Sequence, residues 1–535
     1  MTVDISWSLA ASALLALFIV SRVSKSIYGI KLASGLPAWK VPFQPLAMPG
    51  AALPTTWWNP GIRWTWSLRA SAYKELNTEL IAMVPFMAGQ TAVYTNSVEV
   101  ARQVVAGGVQ SPWIKPVSAS KAIIPWGMNL IGAEKETWRR HRRIMGPAFN
   151  SKTYGLVWAE TARVFRDMAT VEGWDAQNTV NVRAVQDYTF KLALFVISAC
   201  GFGVPFAWDE PPMNEDGTMG VQKALKVYTD NSLLMVITPE WAFKLPISKL
   251  QEYYQARETL REYMTKQIAD RKTEIHGEVE GATERQDVFS LLVRASEGDG
   301  KLKLDDSELA CLFTAVGNVF GLMFAGHETT AHTLAATLGF LSIYPDIQKE
   351  VYDEIVSVVG DREPTLEDFG KLEKVQASFY EALRLYPAGY VMIREAIEDT
   401  VLNVPNEGGQ PGTRPLPVQK GLQVVVDMVG VQYNPRYFPD PEKYDPTRWY
   451  GVSTESEALT AFSIGPRTCI GRKFAAIEAV CFLTFLLRDW HVAPSQRPGE
   501  TGEQWRARVM DAAVGMTLGV KSVPVTLTRR RPLPA

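Results

Sequence analysis

From Ser307 to Tyr344 apolar residues recur at the helical period, and the run stops only at Pro345. As one helix it spans about 38 residues and on the order of 57 Å, enough to cross a whole domain, so the remaining elements must pack along it. Asp305 and Glu308 offer a capping-box-like start. Gly317, Gly321 and Gly326 inside the run are poor helix formers that permit local distortion. At its centre stands AGHETTAH, residues 325–332, a glutamate, two threonines and two histidines in an otherwise apolar helix.

Two histidines around a glutamate suggest the HExxH of a zinc peptidase, where the histidines are one turn apart and face one metal. His327 and His332 are spaced differently and point about 140° away from each other. One zinc could not bind both on an intact helix, which excludes a zinc hydrolase. A glycine-softened helix centre beside Glu328 and Thr329 suggests instead that something approaches the backbone there.

The rest of the chain reads as mainly α with small β-sheets. Helical periods run from Leu156 to Ala169, Ser248 to Thr273 and Cys469 to Leu487; short strand-like runs cover Ala92 to Tyr94, Gln423 to Asp427 and Ser522 to Thr528. His276 to Arg285 and Glu297 to Lys301 read as loops. There is no internal repeat and no sign of a second catalytic domain. With 47% hydrophobic residues the chain has ample material for a core, and a net charge of -2 gives no hint of nucleic acid.

Near the N-terminus, Ile5 to Val20 is apolar and is followed by Arg22, Lys25 and Lys31. About 16 residues of helix reach about 24 Å, close to the roughly 30 Å of a hydrocarbon core. A basic sequence after the run, without a small-residue cleavage site, favours an anchor over a signal peptide. The positive-inside rule then places the bulk of the chain in the cytosol. Pro37, Pro42, Pro45, Pro49 and Pro54 are expected to make a stiff, extended joint. The expected organisation is an anchor over 1–25, a proline-rich linker over 26–55 and one globular domain over 56–535. Absence of any Asn-x-Ser/Thr sequon agrees with a cytosolic face.

The four cysteines, Cys200, Cys311, Cys469 and Cys481, form no CxxC pair, so neither a disulfide scaffold nor a zinc ribbon is indicated. Cys469 is set apart by its surroundings. In FSIGPRTCIGRKFA, residues 462–475, glycine and proline force an irregular loop, and an apolar helix follows. A cysteine at a helix N-terminus near Arg467 sits where dipole and cation favour the thiolate, the form a metal requires. Read alone, a buried core cysteine fits equally.

The pattern Phe462, Gly465, Arg467, Cys469, Gly471 resembles the haem-binding loop of cytochromes P450. YEALRLYP carries Glu381 and Arg384 as that family's ExxR, YDPTRW would add Arg448 to complete a Glu-Arg-Arg triad, and AGHETT is similar to its oxygen-activation motif. The motifs stand in the family's order, and the resemblance runs from about residue 90 to the end. It implies a cytochrome P450 fold with the long helix over haem b, and Cys469 as axial thiolate, a ligand that favours cleavage of the O–O bond. Glu328 and Thr329 become the proton-delivery pair, while His327 faces away. Trp138 and Arg142, the family's WxxxR, would reach one haem propionate, Arg394 the other, and Arg467 would contribute from the loop.

The implied activity is hydroxylation of an unactivated C–H bond using O2. About 60 residues follow the haem loop, too few for a reductase domain, so electrons from NADPH are expected through a partner. By resemblance this is a membrane-bound NADPH-cytochrome P450 reductase, with cytochrome b5 as a further donor, at the endoplasmic reticulum membrane. Arg139, Arg140 and Arg143 are either a solvated basic face or a docking patch for an acidic donor. Segments matching the family's substrate contacts carry Trp126, Met128, Phe320, Met323, Phe324, Tyr390, Val391, Met392 and Met516, each equally readable as core. A pocket lined this way suits a bulky apolar molecule, first a terpenoid of fungal secondary metabolism, with sterols, fatty acids and polycyclic aromatics as alternatives. A haem-thiolate hydroperoxide isomerase or dehydratase is the nearest rival, and it has less use for Glu328 and Thr329. A haem-bearing sensor is a third reading.

Overall fold

A computed structural model describes residues 7–33, 35–120, 124–209, 211, 213–214, 216–231, 238–276, 286–297, 308–406, 408 and 410–533. The expected cap at Asp305 lies outside them, as do the expected loops apart from His276 and Glu297, each of which ends a helix. The chain divides into a smaller unit, Met1–Pro116 with Tyr390–Glu442 and Ile464–Arg467, and a larger unit made of the rest.

The smaller unit is built on a six-stranded sheet. Its strands are β1 (Ala38–Phe43), β2 (Leu80–Ala88), β3 (Ala92–Thr95), β4 (Trp113–Ile114), β5 (Val391–Ala396) and β6 (Gln423–Asp427), in the spatial order β1-β2-β3-β6-β5-β4. Alternating side chains divide between two faces. Leu80, Ala82, Val93, Val424 and Val426 join one apolar cluster, while Ile81, Met83, Ala92, Tyr94 and Val425 join another with Trp64 and Tyr73. Helix α1 (Trp7–Leu32) enters the first cluster through Leu32.

The proline-rich joint is not the extended tether expected. Residues 26–32 continue α1, Pro42 lies in edge strand β1, and Pro49 opens the helix Met48–Ala52. The physical reason is that a fixed φ suits an edge strand or a first helical turn as well as a linker. The β1–β2 register shifts between Val41 and Phe43, opposite Pro85, which has no N–H to give the ladder.

The larger unit is helical. The elements that position its site are α2 (Lys135–Met145), α3 (Ser151–Val171), α4 (Gln186–Ile197), α5 (Glu308–Ile343), α6 (Glu373–Leu385) and α7 (Arg472–Asp489). The 36-residue α5 is the long helix expected from the sequence, and it ends as Pro345 begins the next. Asn150 caps α3 by accepting from Lys152 N at 2.9 Å. The α7 helix starts at Arg472 rather than at Cys469, because Gly471 serves as its N-cap. A three-stranded sheet (Trp490–Pro494, Val525–Arg529, Thr179–Val182), a hairpin (Ala512–Val514, Leu518–Val520) and further helices also belong to this unit.

The glycines of α5 are used for close approach. A Cβ on Gly317 would stand 2.8 Å from Gly127 O, and one on Gly326 would stand 3.1 Å from Ile197 of α4. Buried threonines on the same helix return their hydroxyls to the carbonyl one turn back: Thr333 donates to Thr329 O at 2.8 Å and Thr337 to Thr333 O at 2.7 Å. That satisfies polar atoms in an apolar setting without a ligand.

Candidate active site

Cys469 follows a tight loop whose shape is set by hydrogen bonding and glycine. Its amide donates to Phe462 O at 2.9 Å, and Ser463 is held at φ 69°, a left-handed conformation rare for a residue with a Cβ. Gly465, also at positive φ, meets Ala106 so closely that a Cβ would lie 2.5 Å away. The Cys469 side chain has accessible surface although protein atoms surround it closely. Burial pushes its thiol pKa up, and the Gly471 N–H, Arg142 and Arg472 offset part of that rise. Arg142 and Arg472 are thus two cations acting on the sulfur, and Arg472 is one that the sequence reading did not include.

Arg142 lies on α2 one turn after Trp138, which is buried. Arg139, Arg140 and Arg143 face solvent on the same helix. Between them, buried His141 meets Asn318 of α5 at 3.0 Å, and Asn318 Oδ1 also accepts from Leu130 N at 2.8 Å. One side chain of α5 thus ties down both the basic helix and the loop before it. Arg472, which the motif reading passed over, is buried and donates to Glu455 Oε2 at 2.6 Å and Ser456 O at 3.2 Å.

On α5, Glu328 and Thr329 are half-buried. Thr329 Oγ1 donates to Ala325 O at 2.7 Å, leaving its lone pairs to accept. His327 is buried, and both it and His332 meet the Phe190 ring edge-to-face. Burial raises the Glu328 pKa, but His332, Thr517 and His327 outweigh it, and the carboxyl sits below its usual range.

Glu381 and Arg384, both fully buried on α6, form a bidentate pair at 2.9 and 2.8 Å. Arg448 approaches Glu381 to 3.4 Å, and the carboxylate also accepts from Asp445 N at 3.0 Å and Trp449 Nε1 at 2.8 Å. Arg384 donates further to Lys443 O at 3.0 Å. The three triad residues are together, and the buried charge is compensated by geometry that makes such a pair tolerable.

The remaining positions fall in separate settings. In the larger unit Trp126 stacks on Phe320 at 4.5 Å and donates from Nε1 to Tyr228 Oη at 2.6 Å. Met323 is buried, Phe324 half-buried and Met128 exposed, and Met516 lies in the turn of the hairpin. Phe320 and Met323 also line a small apolar cavity with Phe202, Leu225, Leu260 and Met264. In the smaller unit Arg394 is buried on β5 and donates to Ile393 O at 2.8 Å, and Arg467 is half-buried. Tyr390 is buried there, while Val391 and Met392 pack against opposite core clusters, as alternation along β5 requires.

Among the described residues no three His, Cys, Asp or Glu converge as a metal cage. A single sulfur, with Arg142 and Arg472 acting on it, would suit an iron whose remaining ligands are supplied by a macrocycle rather than by protein side chains. Residues on this chain therefore fit haem better than a protein-only metal site.

Comparison with known proteins agrees. The family model described as Cytochrome P450 matches residues 52–512. Cytochrome P450 monooxygenase 124 of Postia placenta is 34% identical over 473 residues, covering 87% of this chain and 88% of that protein. Cytochrome P450 monooxygenase ORF6 of Penicillium roqueforti is 27% identical, covering 80% and 78%. Cyclooctat-9-en-7-ol 5-monooxygenase of Streptomyces melanosporofaciens is 28% identical, covering 70% and 74%.

Proposed function

This chain belongs to the cytochrome P450 family and is a monooxygenase; we propose that it hydroxylates a bulky apolar substrate, a terpenoid of fungal secondary metabolism, with electrons from a separate NADPH-cytochrome P450 reductase. The observation that carries the substrate class is the aromatic cluster of Trp126, Phe320 and Tyr228, with Trp126 stacked on Phe320, Tyr228 edge-to-face with it and one hydrogen bond tying Trp126 to Tyr228, which suits a rigid hydrocarbon. The ring alcohol in the name of the Streptomyces relative agrees with that choice.

Haem with a thiolate behind its iron supplies reductive activation of O2 and cleavage of the O–O bond. The chain's own residues do the rest. Cys469 would supply the sulfur, and a bound metal would favour the thiolate that burial alone disfavours. Arg142 and Trp138 would hold one propionate, and Arg394 and Arg467 are the cations that the family pattern would assign to the remainder. Thr329 accepts a bond on its free lone pairs and passes a proton supplied by the Glu328 carboxyl, in a setting from which bulk water is excluded. Exposed Arg139, Arg140 and Arg143 receive the reductase, or cytochrome b5. The apolar stretch Leu9–Leu32, with mean hydropathy 1.5, supports single-pass anchoring at the endoplasmic reticulum with a cytosolic catalytic domain.

Absorption titration of the purified haem protein with terpenes, sterols, fatty acids and polycyclic aromatics tests the substrate class. A saturable Soret shift with a terpene is the expected result. A shift confined to another scaffold would replace the terpenoid, and none with any scaffold, despite sound haem, would overturn the bulky apolar reading.

A further inference from the structure

Proton delivery uses the Glu328 carboxylate, yet nothing in that role accounts for the ring one turn further along α5. His332 Nε2 stands 3.8 Å from Glu328 Oε1, within ion-pair reach though longer than a formed hydrogen bond. Its other nitrogen is in a different position. His332 Nδ1 is buried with no hydrogen-bond partner among the described residues. The hairpin closes over it so tightly that a Cβ on Gly519 would stand 2.0 Å from Nδ1. Phe190 of α4 seals a further side, edge-to-face with the ring at 4.9 Å.

A proton on Nδ1 would be buried without an acceptor, at a cost of about 1–3 kcal/mol. The ring proton with an acceptor within reach is therefore the one on Nε2, aimed at Glu328. Thr517 of the same hairpin also lowers the carboxyl's pKa, although its buried Oγ1 makes no formed hydrogen bond among the described residues. The titratable groups acting on Glu328 are His332 and His327, both on α5; α4 contributes Phe190 and the hairpin contributes Thr517 and Gly519, none of them charged.

We propose that His332 is a positioning residue that parks the Glu328 carboxylate, through its Nε2–H, against the 512–520 hairpin. The proposal rests on reading Glu328 as the acid that serves Thr329. A parked carboxylate must leave His332 before it can carry a proton toward the threonine, so His332 sets how readily the acid is released. Gly519 is needed because any larger residue would drive the ring off its position.

The test uses the full-length holoenzyme in detergent, with carbon monoxide on the ferrous haem as the probe. The C–O stretching frequency, which responds to nearby charge, is followed from about pH 5 to about pH 9. His332→Leu removes the donor and leaves burial acting on Glu328, so a pH-dependent step beyond any in wild type is expected, one that adding Glu328→Gln abolishes. His332→Gln, whose amide nitrogen can take the place of Nε2, should restore the wild-type response. Gly519→Ala is the second route to the same step, should the leucine protein fail to fold with haem. A His332→Leu or Gly519→Ala protein that titrates as wild type does, or a step that survives Glu328→Gln, overturns the proposal. Absence of a thiolate-type carbon monoxide spectrum in wild type would instead remove the haem-thiolate reading beneath it.

Discussion

Asp427 and Glu381 are both buried carboxylates, and their partners decide how each one weighs on stability. Glu381 has two arginines and two N–H donors around it. Asp427, at the end of β6, has no cation paired with it among the described residues: it accepts from Gly430 N at 2.9 Å and from Tyr73 Oη at 3.2 Å. Burial outweighs those bonds and pushes its pKa up to about 7. An aspartate in the unfolded chain titrates near about 3.9, so between those values the folded state holds the extra proton. Stability from this group is therefore greatest at low pH and is lost progressively as pH rises through about 7. Asn at this position keeps the cap on Gly430 and cannot ionise. Asp427→Asn is expected to melt above wild type by about 2 °C or more at pH 8, with the gap narrowing at pH 5, as read by thermal melts at both values.

Helix α5 shows how an element can position chemistry that its own side chains do not perform. Gly317 lets the 127–129 loop come so close that an added Cβ would meet two backbone oxygens, Gly127 O at 2.8 Å and Met128 O at 2.9 Å. Backbone cannot rotate aside as a side chain can, so Gly317→Ala should cost about 1–3 kcal/mol and displace the loop carrying Met128. Gly155→Ala on α3, with nothing within 4 Å of the new atom, should stabilise by about 0.5–1 kcal/mol. Thermal melts of the two variants check the contrast; equal effects would remove any special role for the Gly317 contact. The α5 helix was legible because its period is sustained and Pro345 ends it. Strand β6 was legible too, as VVV between polar residues. Strands β1 and β2 were not, because their pairing joins segments far apart in the chain and both contain proline. The thiolate loop could be read from its residue pattern, and so could the one-turn spacing of Glu328 and His332, whereas the effect of Arg472 on Cys469, that of Thr517 on Glu328 and the approach of Gly519 to His332 arise only when α5 meets the hairpin and α7 meets its loop. Spacing along the chain carries no trace of such meetings.

At the scale of the whole molecule, α1 does two physically different things along its length. Leu9, Leu14, Leu15 and Leu17 are each at least 60% exposed, a level of apolar exposure that water does not favour. Further on the same helix is committed to the smaller unit: Arg22 donates to Met87 O at 2.8 Å, and a Cβ on Gly29 would stand 2.4 Å from Thr91 Oγ1. Leu32, Ala33 and Leu36 then join the core that holds β2, β3 and β6. Removing residues 2–20 should therefore release the protein from membranes without changing haem content or melting temperature. Removing residues 2–36 takes two buried leucines from the core, each worth about 2–5 kcal/mol, and should lower the melting temperature by several degrees or prevent folding. Sedimentation after a salt wash, paired with thermal melts of the holoproteins, separates the two roles. If the protein lacking residues 2–20 still sediments with membranes, attachment lies elsewhere on the surface, with Trp57, 97% exposed, and neighbouring Trp58 as the side chains to replace next. If both truncations melt alike, the docked half of α1 is not part of the fold's stability and the helix acts as an anchor throughout.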